Sequence, residues 1–156
     1  MDAAQNPPEH DQSVMIALLP IDARWCQIEL PHMTLVYAGK ISGLNPGDFN
    51  EMAKDAASLA AMNRPLALEV FRKEQFGNWT EDPNDVVDVY RLRAKPELLG
   101  MRNTVKRWNR SEHEFNPHVT IGPAGVVTDF QPEVIAFDRI GVFWGRDQEL
   151  VFNFKV

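Results

Sequence analysis

Apolar positions fall in short runs whose period changes along the chain. Residues 13–19 (SVMIALL) form a compact apolar run closed by Pro20, the pattern of a buried strand. Residues 32–38 (HMTLVYA), rich in β-branched and aromatic side chains, read as a second strand. Over 45–62 the period lengthens: Phe49, Met52, Ala56 and Leu59 share one helical face, with Asn45 placed to cap and Pro46 at the first helical position. Residues 65–71 alternate again as a strand, 73–85 carry Gly, Asn and Pro signals and read as a loop, and 86–93 return to strand. A second amphipathic helix is expected over 95–109, where Leu98, Met101, Val105 and Trp108 repeat the helical spacing. Strands follow at 118–122, 134–144 and 149–156. Strands outnumber helices and do not alternate with them one for one, so the pattern predicts an α+β fold with antiparallel pairing. Residues 1–12 are polar and read as a loose tail before a single domain over 13–156.

One phrase is written twice. PHMTLVYAG spans 31–39 and PHVTIGPAG spans 117–125, with Pro, His, Thr, Ala and Gly at matching places. Side chains at i and i+2 of a strand share a face, so His32 projects with Thr34, and His118 with Thr120. Each copy offers an imidazole and a hydroxyl about 6–7 Å apart along the strand. Two such strands facing one cavity suit phosphodiester chemistry. One neutral imidazole takes a proton from the nucleophile and a protonated one gives a proton to the leaving oxygen. The threonine hydroxyls donate to the non-bridging oxygens, where charge builds.

Composition narrows the class. With 44% hydrophobic and 24% charged residues, the 156-residue chain is of ordinary globular make-up and long enough to bury a core without staples. Its one cysteine, Cys26, permits no internal disulfide and reads as a small buried hydrophobe. No apolar run reaches the roughly 18 residues of a membrane span, and the N-terminus lacks the marks of a signal peptide, so a soluble, cytoplasmic protein is expected. A net charge of −6 argues against broad affinity for long nucleic acid but leaves room for a small phosphorylated ligand.

Other residues are weaker candidates. Arg91 and Arg146 are candidate phosphate forks, with Arg93 on the same strand face as Arg91. Phe76 and Trp79, both expected in a loop, are candidate base-stacking platforms. Tyr37, of odd parity relative to Thr34, is expected to point away from the cleft, and Trp108 into the core. Lys106, Arg107 and Arg110 read as a solvated helix end. His113, five residues before His118, has no metal-site spacing, so no metal or other cofactor is expected. No nucleophile elbow, Walker loop or dinucleotide fingerprint is present.

His32-Met33-Thr34 and His118-Val119-Thr120 resemble the twin His-x-Thr/Ser signature of the 2H phosphoesterase superfamily, which includes bacterial 2′-5′ RNA ligase-like proteins and cyclic nucleotide phosphodiesterases. The likeness extends over most of the chain from about residue 13. It implies two pseudo-symmetric lobes of antiparallel sheet with helices packed outside and the active site in the cleft between them. It also implies metal-independent cleavage or transfer at 2′,3′-cyclic, 2′-5′ or related phosphodiesters of nucleotides, cyclic nucleotides or short RNA. Some viral members degrade cyclic oligonucleotide immune signals, which gives an alternative function. A catalytically silent nucleotide- or RNA-binding module is another, although all four motif side chains are present. The second motif departs from the commonest form: Pro123 follows Gly122 where many relatives carry a basic residue.

Overall fold

The computed structural model describes residues 12–77, 86–125, 131–145 and 148–156. Its elements are β1 (Ser13–Pro20), β2 (Met33–Lys40), a 3₁₀ turn (Ile41–Gly43), α1 (Pro46–Met62), β3 (Leu66–Phe76), β4 (Val87–Leu92), α2 (Pro96–Val105) with a 3₁₀ extension (Lys106–Trp108), β5 (His118–Pro123), β6 (Val134–Trp144) and β7 (Gln148–Asn153). The order of strands and helices is the one the periodicity predicts.

All pairings are antiparallel, in the order β2-β1-β6-β3-β4-β5, with β7 also on β6. Two half-sheets share a seam. β3 pairs with β6 over Leu66–Glu69 and with β4 from Val70 to Phe76. One lobe is therefore β2-β1-β6-β7 and the other β3-β4-β5, and the two motif strands, β2 and β5, are the outermost of each.

Asn45 and Asp48 form a reciprocal capping box at the start of α1, each side chain accepting from the other's backbone N–H at 2.9 Å. Met52, Ala56, Leu59 and Ala60 bury the inner face of α1. Phe49, at the rim, packs its ring 5.3 Å from that of Trp144. Asp55 binds the two helices together, accepting from Trp108 Nε1 at 2.9 Å and Arg107 Nη2 at 3.0 Å. Trp108 is buried, as its place in the helical stripe requires. Alternate residues of β1 face opposite ways. Val14, Ile16 and Leu18 enter the main core, while Met15, Ala17 and Leu19 face the other side with Phe143 and Leu30.

The expected loop over 73–85 starts too early. Lys73, Glu74, Gln75 and Phe76 continue β3, paired with Tyr90, Val89, Asp88 and Val87. Polar side chains mask this stretch in sequence, and cross-strand partners supply its stability.

Candidate active site

Both motif imidazoles are fixed in the same way. His32 Nδ1 lies 2.7 Å from the carbonyl oxygen of Leu30, and His118 Nδ1 lies 2.7 Å from that of Asn116. A carbonyl only accepts, so Nδ1 carries the hydrogen in each ring. That leaves Nε2 as the atom that takes up or releases a proton. The residue between carbonyl and histidine is Pro31 in one copy and Pro117 in the other, and its fixed φ holds the backbone on which the clamp depends.

The rest of the phrase also has a structural reading. Ala17 pairs with Thr34 but Ile16 pairs with Val36, so Leu35 is an extra residue in β2. Val89 pairs with Thr120 but Asp88 pairs with Gly122, so Ile121 is the extra residue in β5. Each strand thus bulges directly after its motif threonine, which bends the strand there. The closing glycines, Gly39 and Gly125, both take φ +85°, a conformation that side chains other than glycine's rarely adopt.

The segment between β1 and β2 bridges to the second motif strand. Gln27 N–H donates to the carbonyl of the bulged Ile121 at 2.7 Å, and Trp25 sets its ring edge-on to Tyr90 with centroids 6.2 Å apart. Cys26 Sγ, half-buried in the seam, donates to the Thr120 carbonyl at 3.5 Å, and burial raises its pKa. His32, at the end of this segment, feels His118: burial chiefly lowers its pKa, the Leu30 bond opposes, and positive charge on His118 lowers it further. The pKa of His118 is also lowered, first by burial, against the Asn116 bond, with the charge of Arg91 adding to the fall.

A cavity of about 700 Å³ opens beside these groups, within the roughly 300–1,000 Å³ usual for small-molecule sites. Thr34, Tyr37, Phe76, Arg102, Phe115 and His118 are among its walls, and His32 and Thr120 lie outside that lining. Among the described residues Thr34 Oγ1 donates to Met15 Sδ at 3.6 Å, a weak acceptor that a phosphate oxygen readily replaces. Phe76, on β3 rather than in a loop, meets the His118 ring at 4.6 Å and 61°. Arg91 stands across the ladder from His118, outside the cavity lining, with Nη1 3.1 Å from Glu74 Oε2. Trp79 and Arg146 lie outside the described residues. Among the described residues no three His, Cys, Asp or Glu side chains gather as a metal set, His113 included, and no helix is long and apolar enough to cross a membrane.

Tyr37 corrects the parity argument. The bulge at Leu35 shifts the alternation by one, so Tyr37 pairs with Met15 and lines the cavity on the Thr34 side. Sequence reasoning also missed Arg102, a cavity residue on α2 whose Nε is buried without a hydrogen-bond partner. It missed Asp88 too, a buried carboxylate that accepts from Gly125 N–H at 3.0 Å and so holds the end of the second phrase.

No protein-family model matches the chain, and no curated protein matches it. Solved structures do share its fold. Usb1 of Kluyveromyces marxianus superposes with a TM-score of 0.62 at 10% identity, over 92% of this chain and 99% of that one. LigT of E. coli complexed with 3'-AMP gives 0.56 at 16%, over 92% and 95%. A protein solved as a phosphoesterase gives 0.52 at 15%, over 92% and 96%. The likeness shows that this chain has the fold of these solved structures.

Proposed function

We propose that the chain is a 2H-type phosphodiesterase acting on nucleotide or short RNA phosphodiesters. The observation that supports this reading is the pair of matched clamps, which leave Nε2 of each ring as the nitrogen open to proton exchange, together with the charge of His118 felt at His32. In the reaction, Nε2 of one histidine accepts the proton of the attacking hydroxyl or water as the new P–O bond forms. Nε2–H of the other protonates the leaving oxygen as the old P–O bond breaks. Thr34 and Thr120 donate to the non-bridging oxygens. Arg91, held by Glu74, acts on His118 through its charge, and Phe76 offers a face to a base. The occurrence of LigT in complex with 3'-AMP favours a nucleotide as the ligand. The two-histidine mechanism requires no metal.

A panel of 2′,3′-cyclic nucleotides, 2′-5′ dinucleotides and cyclic oligonucleotides, each assayed with and without EDTA, tests the reading. Turnover of at least one class, unaltered by EDTA, is expected. Binding without turnover across the panel would instead identify a nucleotide-binding module, and activity lost to EDTA and restored by zinc would replace acid–base catalysis with metal chemistry.

A further inference from the structure

Arg102 has no place in the chemistry above, yet its setting calls for a ligand. It sits on α2 in the wall of the cavity that His118 and Thr34 also line. Its guanidinium lies over the Phe115 ring, 5.2 Å from the centroid, a contact that restrains the side chain. Nε is buried without an acceptor, and among the described residues no carboxylate pairs with this side chain. Other arginines are placed differently: Arg91 faces Glu74, Arg93 faces Glu69, Arg107 faces Asp55 and Arg139 faces Asp138. Even Arg91, whose Nε is also buried and unpaired, keeps Nη1 on a carboxylate. A guanidinium stays charged at physiological pH, and a buried donor without an acceptor is destabilising. An anion entering the cavity would compensate the guanidinium charge, for which the described residues supply no carboxylate.

We propose that Arg102 is an anion subsite that takes a second phosphate of the substrate, away from the one being cleaved. The preferred substrate then carries at least two phosphate groups, as in an end-phosphorylated or multiply linked oligonucleotide, rather than a lone nucleoside cyclic phosphate. The fork suits phosphate because its parallel N–H groups match two oxygens of one group. Asn109, Ser111 and Asn116 line the same cavity and supply neutral polar groups around the nucleoside between the two phosphates. The choice of a nucleotide rests on the phosphodiesterase reading, but the subsite can be tested without turnover.

The experiment is calorimetric binding of a nucleoside 3′,5′-bisphosphate and of the matching 3′-monophosphate to the full chain. Wild type is expected to bind the bisphosphate about 10–100-fold more tightly, the range for a hydrogen-bonded charge pair. Arg102→Ala should bind both alike, with affinity for the monophosphate unchanged. Arg102→Lys, which keeps the charge without the fork, should retain part of the preference. If the alanine variant does not fold, Arg102→Met, with an unbranched apolar side chain, takes its place. Equal wild-type affinity for the two ligands, or equal weakening of both in the variant, would overturn the subsite. A bisphosphate preference with no turnover on the substrate panel would uphold the subsite and sink the phosphodiesterase reading alone.

Discussion

His32 and His118 hold their rings by the same bond: Nδ1 of each meets the carbonyl two residues upstream at 2.7 Å. The rings therefore share a tautomer, and their pKa values are lowered together by burial. In the free protein both values lie below the ordinary imidazole value of about 6.5. Acid–base catalysis needs one ring protonated and one neutral, so kcat/KM should follow a bell whose maximum lies below about pH 6.5. An anionic phosphate stabilises imidazolium, so the kcat bell should lie at higher pH than the kcat/KM bell. Stability follows the same shifts. Below about pH 6.5 the unfolded chain binds protons that the folded rings resist, so stability is complete above that pH and falls as pH drops toward the lowered values. Parallel rate and urea-unfolding profiles check both statements, and a kcat/KM maximum above about pH 6.5 would contradict the first.

Thr34 and Thr120 occupy matching places before matching bulges at Leu35 and Ile121. Thr34→Val and Thr120→Val should each lower kcat by about 10–10³-fold, the scale of one lost transition-state hydrogen bond, with a smaller change in KM. Steady-state kinetics on the best substrate of the panel measures this. A rise in KM alone would make the hydroxyls ground-state binders.

Phe76 meets the His118 ring at 4.6 Å and also lines the cavity. If its face stacks on a base, Phe76→Ala should raise KM by about 10–100-fold, matching a stacking loss of about 1–3 kcal/mol, and change kcat less. Phe76→Leu, which keeps apolar bulk beside His118 but not the aromatic face, separates the roles: full recovery of KM would make Phe76 a support for the imidazole.

Asp88 is 3% exposed and accepts from Gly125 N–H, with Lys73 Nζ 3.8 Å from its carboxylate. Asp88→Ala strands that N–H and should lower stability by about 1.5–3 kcal/mol, whereas Asp88→Asn, which keeps an acceptor, should cost less. Urea unfolding reads the difference. Equal losses would place the stabilisation in charge rather than in the hydrogen bond.

Much of the architecture was legible because local and global signals agree. The cap at Asn45, the buried stripe of Met52, Ala56 and Leu59, and the twin His-x-Thr strands are each written in a few adjacent residues. What escaped depends on partners distant in the chain. Lys73, Glu74 and Gln75 lack an apolar alternation and are strand only because β4 lies beside them. Strict alternation points Tyr37 away from the cleft, and the bulge at Leu35 reverses it. Leu35 and Val36, adjacent and both buried, mark that bulge. Arg102 falls four residues after Leu98 and three before Val105, so a charge written into the apolar stripe of α2 was the available signal.

The central claim is that two histidines divide the proton transfers at one phosphate. Its most direct test is the single-turnover rate of His32→Ala, His118→Ala and the double variant on the best substrate of the panel, each confirmed as folded. Each single variant should be slower by about 10²–10⁴-fold, and the double variant should lose less than the product of the two, because the residues act as a unit. A single variant that keeps its rate within about fivefold of wild type would contradict the claim, since loss of a general acid or base is not that mild.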